Sequence, residues 1–107
     1  MDAGSVDRVF AALGDPGRRK LVREISARGS ATATELAAGL PVTRQAVAKQ
    51  LAGLAEAGLV AGVRRGRETR YELTPAPLGD AMAWMAEVGA GWDERLEALE
   101  KHIRRRG

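Results

Sequence analysis

The chain has 107 residues, 45% of them hydrophobic, which suits one folded domain and is too little for two separate cores. It contains no cysteine, which removes disulfides and thiolate metal sites, and its net charge of +3 with a pI of about 9.9 is only mildly basic. The opening MDAGSVDRVF places acids ahead of its first base and has no apolar stretch of a secretory leader, and no run is long enough to span a membrane, so a soluble cytoplasmic protein is expected.

In chain order, Ser5 is placed to cap a first helix carrying Val6, Val9, Phe10 and Leu13 and stopped by Gly14. Asp15-Pro16 opens a second, with Leu21, Val22 and Ile25 on one face and an end near Gly29. Thr32-Ala-Thr-Glu35 has the spacing of a capping box, in which the Thr hydroxyl and the Glu carboxylate each accept from the other's backbone N–H. It opens a short third helix through Leu36 and Ala37, stopped by Gly39 and Pro41. Thr43 caps a fourth helix, with Val42 and Val47 spaced as a hydrophobic staple. Val47, Leu51 and Leu54 form its buried stripe, which turns Arg44, Gln45, Ala48 and Lys49 away from the core. LVAGVRR and TRYEL read as two strands around a tip of Arg65-Gly66-Arg67-Glu68, with Tyr71 and Leu73 alternating against Arg70 and Glu72. Thr74-Pro75-Ala76-Pro77 breaks the chain before a long last helix over 77–105. Its Leu78, Met85, Trp92 and Leu99 recur every seven residues, with Met82, Leu96 and Ile103 between; Gly89 and Gly91 weaken its middle by about 1 kcal/mol each.

The result is a mainly α chain with a small β-hairpin, in the order of a winged helix-turn-helix: a core over 5–74, then the long helix. Charge divides along it. Residues 43–70 hold six bases against two acids, and residues 77–100 one base against six acids, so one part attracts phosphate and another repels it. The stretch TRQAVAKQL holds the chain's two glutamines, and there is no asparagine. Laid in a major groove, Arg44 would donate to guanine O6 and N7 and Gln45 would pair with adenine. Ala48 would allow close approach or touch a thymine methyl, and Thr43 and Lys49 would meet phosphates. Arg64, Arg65 and Arg67 of the wing, with Arg70 beside them, would reach backbone or minor groove. The bland alternative is a solvated helix face. Gln50, on the flank, is expected to pack or meet phosphate rather than read a base.

The runs LGDPGRRKLV, TATELAAGLPVTRQAVAKQLAGLAEAGLV and RRGRETRYELTP resemble the ArsR family of bacterial winged-helix repressors, in order and spacing from about Val6 to Ile103. The resemblance implies a homodimer on double-stranded DNA at an imperfect palindrome, usually repressing. It would be joined through Val6, Val9 and Phe10 of the first helix and Leu78, Met82, Met85, Trp92, Leu96, Leu99 and Ile103 of the last. Founding members sense metals through cysteines on the third helix or through Asp, His and Glu on the last. Here ATELAAGL offers only Glu35, already used in the capping box, and His102 stands alone, so the resemblance is to metal-independent members, with no cofactor expected.

Arg18 and Arg19 are open between a phosphate clamp and a surface salt bridge with Asp15 or Glu24. The Trp84, Met85, Val88 and Trp92 cluster reads as a dimer core before an effector pocket, and a small-molecule effector is not indicated. Arg104, Arg105 and Arg106 read as a solvated helix end. No catalytic set is present in the sequence. The rival functions are a protein-interaction module and a non-specific architectural binder, though the latter would need only Lys and Arg on the fourth helix.

Overall fold

A computed structural model describes residues 3–106; Met1, Asp2 and Gly107, on which the readings of the N-terminal start and of the full 1–107 extent partly rest, lie outside the described residues. The elements run α1 (Ala3–Leu13), α2 (Pro16–Arg28), β1 (Ala31–Thr32), α3 (Ala33–Ala38), α4 (Arg44–Glu56), β2 (Val60–Arg65), β3 (Glu68–Leu73) and α5 (Pro75–Arg106).

The boundaries follow local chemistry. Asp15 caps α2 by accepting from the Gly17 N–H at 2.8 Å, and Gly29 ends it at φ 82, a conformation glycine adopts without steric cost. The capping box of α3 is complete: the Glu35 N–H donates to Thr32 Oγ1 at 3.1 Å and the Thr32 N–H to Glu35 Oε1 at 2.9 Å. Thr43 Oγ1 accepts from the Ala46 N–H at 3.1 Å to start α4. That helix ends in a Schellman turn, in which Leu59 N–H reaches Leu54 O at 2.9 Å, Gly58 N–H reaches Ala55 O at 3.0 Å, and Gly58 sits at φ 77.

Three boundaries differ from the sequence reading. Ser5 does not cap α1, because the helix already begins at Ala3 and Ser5 lies half-buried in its first turn. The last helix starts at Pro75 rather than 77, since a proline in the first turn has no N–H to lose. The hairpin is part of a three-stranded antiparallel sheet of order β1-β3-β2, with Ala31 opposite Tyr71 and Thr32 opposite Arg70. A two-residue strand such as β1 carries no periodicity to read. Within the tip read from the sequence, Arg65 pairs with Glu68, leaving Gly66 and Arg67 as the two-residue turn, with Gly66 at φ 62.

One core joins these elements. Val9, Leu21, Ile25, Leu36, Val47, Leu51, Leu54, Leu59 and Val60 are its larger members, with Ala81 the contribution of α5. Tyr71 and Leu73 pack on it from β3, as the strand alternation requires. Of the two residues spaced as a staple, Val47 is fully buried while Val42 is exposed. Val6 and Val9 of the expected dimer set are likewise buried within the chain itself, at 4% and 0% exposure, and Leu78 packs half-buried against the core. These three side chains serve the subunit's own interior, which leaves Phe10 and the later α5 residues as the apolar surface. After Ala81, α5 runs clear of the core, and the molecule is 68 Å long.

Because Leu51 is wholly enclosed by this core, Leu51→Ala is expected to cost about 2–5 kcal/mol through lost burial and the cavity left behind. Urea unfolding followed by circular dichroism measures it; a loss under about 1 kcal/mol would mean that α4 is not anchored as described.

Candidate nucleic-acid interface

With Val47, Leu51 and Leu54 turned inward, the opposite side of α4 is left to solvent. Thr43, Arg44, Gln45, Ala48 and Lys49 are all exposed. Arg44 and Gln45 occupy the first turn, the end of a recognition helix that faces base edges in helix-turn-helix complexes. Ala48 lies one turn later on the same face.

The sheet brings the hairpin to this face. A groove of about 660 Å³ is lined by Arg44, Gln45 and Ala48 from α4, by Arg64, Arg67, Glu68, Thr69 and Tyr71 from the hairpin, and by Thr32, Ala33, Thr34 and Glu35 from the start of α3. Two segments twenty residues apart in sequence thus share one concave surface. Gly62 lets the strands close here: a Cβ there would lie 3.0 Å from Thr69 Cγ2 and 3.3 Å from the Tyr71 ring, so both side chains would have to shift by a few tenths of an ångström. Arg64 Nε donates to the Gly66 carbonyl at 3.0 Å, which bends this side chain along the turn. Arg65 and Lys49 are exposed but lie outside the groove lining.

Arg70 departs from the expectation of a DNA contact. Its Nε donates to Ser30 Oγ at 3.0 Å and its Nη2 to the Ser30 carbonyl at 3.3 Å. The same guanidinium pairs with Glu35 at 3.1 Å and with Glu68 at 3.6 Å, and the side chain is 27% exposed. The strand register explains the difference: Arg70 lies opposite Thr32, so its side chain meets the β1–α3 junction rather than solvent. Its charge also compensates both acids of the groove, leaving Arg44, Arg64 and Arg67 as the groove's cations without an acidic partner among the described residues.

The other candidates divide. Gln50 packs against the start of α2, where a Cβ on Gly17 would collide with its amide. Arg19 Nη1 donates to the Leu13 carbonyl at 2.6 Å, closing the end of α1, and Arg18 lies flat on α4 at Gly53, its Nε buried and without a hydrogen-bond partner. Neither arginine makes the salt bridge with Asp15 or Glu24 that was one of the two open readings, and Glu24 pairs instead with Arg28 at 3.3 Å. Among the described residues no cluster of His, Asp and Glu could hold a metal ion, and no helix is long and apolar enough to cross a membrane. Lys101, His102, Arg104 and Arg105 are exposed at the end of α5, while the side chain of Arg106 lies outside the described residues. Thr34 and Thr69 were not singled out by sequence, and Tyr71 was read only as an inner-face residue of its strand. Thr34 carried a usable signal, a hydroxyl in the first turn of the helix that precedes the recognition helix; the places of Thr69 and Tyr71 in the groove depend on strand register, which the sequence does not mark.

Comparison with known proteins gives a consistent picture. The family model of a helix-turn-helix domain matches residues 13–63. The HTH-type transcriptional regulator Rv2034 of Mycobacterium tuberculosis is 40% identical over 99 residues, covering 92% of this chain and 89% of that protein. The uncharacterised HTH-type transcriptional regulator YuzN of Bacillus subtilis is 43% identical over 70 residues, 60% of this chain and 76% of that one. Among solved structures, an ArsR-like transcriptional regulator from Rhodococcus sp. RHA1 superposes with a TM-score of 0.76 at 41% identity, covering 92% of each chain.

Glu35 is held below its ordinary value of 4.5, first by the Thr32 backbone N–H, then, against an opposing effect of burial, by Arg70, the Thr32 hydroxyl and Arg28. A lowered folded-state value means that its contribution is complete above the unfolded value and is lost as pH falls through the folded one. Glu35→Gln keeps the capping acceptor but not the charge. Its urea midpoint is expected below wild type at neutral pH, with the gap closing as pH falls below 4.5; a gap unchanged down to pH of about 3 would separate the Glu35 charge from stability.

Proposed function

Because the chain belongs to the ArsR family of helix-turn-helix transcriptional regulators, we propose that it is a sequence-specific repressor that binds a dyad-symmetric promoter site as a homodimer. Family membership makes it a DNA-binding regulator rather than an enzyme. The observation that carries the finer reading is the shared groove. Arg44, Gln45 and Ala48 lie within the same concave surface as Arg64 and Arg67, so one approach of the duplex engages helix and wing together. Arg44 and Gln45 would read base edges in the major groove, with Ala48 allowing close approach. Thr43 and Lys49, exposed beside them, would meet phosphates, and Arg64, Arg65 and Arg67 would meet the backbone or the neighbouring minor groove. Arg70 is left out of this contact set for the reasons of geometry given above. Repression then needs only occupancy, since a bound dimer excludes other proteins from the promoter.

The dimer reading rests on α5. Met82, Met85, Trp92, Leu96, Leu99 and Ile103 are between 46% and 60% exposed on a helix of 32 residues, and Phe10, edge-on to Trp84 at 5.4 Å between ring centroids, is 36% exposed. A continuous apolar stripe of this kind is costly in water. The helix also continues through Gly89 and Gly91, each costing about 1 kcal/mol, although among the described residues no other segment lies where a side chain would stand at either position. A second copy of α1 and α5 would cover the stripe and support the helix. Two recognition helices would then stand about 34 Å apart, one turn of the duplex. The acidic outer residues of α5 would face away from DNA.

Three outcomes test this. Arg44→Ala and Gln45→Ala are each expected to cost about 1–3 kcal/mol on a duplex selected from a randomised pool by the wild-type protein, and to relax base preference at one position. Retention of wild-type discrimination by both would remove α4 as the reader. Arg67→Ala should instead weaken all sequences similarly and reduce the slope of log affinity against log salt by about 1. Leu96 is half exposed and lies outside the core, so Leu96→Glu should sediment as a folded monomer at concentrations where wild type is a dimer; an unchanged dimer would exclude α5 from the interface.

A further inference from the structure

We propose that Arg70 is a positioning residue: it clamps the wing onto the helix-turn-helix, so that Arg64 and Arg67 stay within the groove that presents Arg44 and Gln45. The inference rests on the DNA-binding reading above and deepens it, because it assigns an indirect role to the one wing arginine that turns away from the duplex.

The argument is one of connectivity. A two-stranded hairpin alone is marginal in water, and β2 beyond Val60 is exposed along its whole length. The third strand, β1, is only two residues long, so its ladder is too short to fix the hairpin's angle. Arg70 supplements that ladder where it ends. From β3 it reaches the Ser30 hydroxyl and carbonyl just before β1, Glu35 in the first turn of α3, and Glu68 beside the hairpin turn. One rigid guanidinium fork therefore ties the wing to the element that precedes the recognition helix. Glu35 is itself fixed by the Thr32 capping box, so the anchor on the α3 side cannot swing freely. A lysine at this position would supply the charge but not the fork, which needs separate donors aimed at Ser30 and at the two carboxylates.

Phosphate contact is the competing role for an arginine in a wing, and simple charge compensation is another. The three are distinguishable by a double-mutant cycle in fluorescence anisotropy at fixed salt, using a duplex selected from a randomised pool by the wild-type protein, with circular dichroism melting of each variant. If Arg70 positions the wing, Arg70→Gln weakens binding about tenfold, and adding Arg67→Ala to it weakens binding no further, because Arg67 has already lost its place. Arg70→Lys recovers only part of the loss. Independent, additive losses from Arg67→Ala and Arg70→Gln would make Arg70 an ordinary phosphate contact and overturn the proposal, as would unchanged affinity in a folded Arg70→Gln protein.

Should Arg70→Gln fail to fold, the clamp can be opened from its other side. Glu35→Gln combined with Glu68→Gln removes two negative charges from the groove and keeps the capping acceptor. Charge compensation alone then predicts tighter DNA binding, whereas loss of the clamp predicts weaker binding; tighter binding overturns the proposal. A wild-type protein that selects no duplex at all would instead defeat the DNA-binding reading itself, and a wild type that binds while the cycle is additive would defeat only the clamp.

Discussion

The burial of Val47, Leu51 and Leu54 on one side of α4 is the constraint from which the rest of this structure follows. All three are fully enclosed, and a helix with one face pinned in this way has no rotational freedom left. Arg44, Gln45 and Ala48 are exposed because their neighbours at helical spacing are not. The Thr43 cap and the Schellman turn at Gly58 fix the two ends, so the position along the axis is set as firmly as the rotation about it. A base-reading surface needs that rigidity, since a displaced side chain would trade one base edge for another.

The wing is attached to this frame more lightly. Tyr71 and Leu73 reach the core from β3, and the Thr74 N–H donates to the Leu59 carbonyl at 2.8 Å to close the base of the hairpin. Beyond that, the strands extend into solvent, and the short β1–β3 ladder and the interactions of Arg70 reach back to β1 and α3. The division suits a DNA-binding domain whose helix must be exact in register while its wing follows the backbone of the duplex. It also explains how two carboxylates, Glu35 and Glu68, are tolerated in a groove proposed to meet phosphate: each is paired with the same guanidinium.

The third feature is the mismatch between the small core and the long last helix. The chain buries one modest cluster, to which α5 contributes Ala81 and part of Leu78. The remaining turns of α5 hold an apolar stripe that, apart from Phe10 against Trp84, is largely exposed among the described residues. For a domain of this size, added burial from a second subunit is a large fraction of the available stabilisation, so the proposed dimer would serve folding and DNA geometry together.

Much of this was legible from residue order alone. Helix caps are written locally, so Asp15, Thr32 and Thr43 could be placed by their side chains and spacing, and the buried stripe of α4 by its period. The alternation of Tyr71 and Leu73 likewise marked the inner face of β3. Contacts between segments distant in sequence were not legible. The pairing of β1 with β3 turned Arg70 from an outward cation into an internal tie; the closeness of α2 to α4 turned Gln50 onto Gly17 and laid Arg18 across Gly53. Val6 and Val9 have the spacing of a helix face but no mark of which partner that face meets, and only the folded chain showed that the partner is its own core. The sequence by itself determined which elements form and which side of each is apolar, because propensity, capping and periodicity act over a few residues. The tertiary structure decided which polar side chains remain free for a partner, because a charged side chain's role depends on what other segments bring within hydrogen-bonding distance of it.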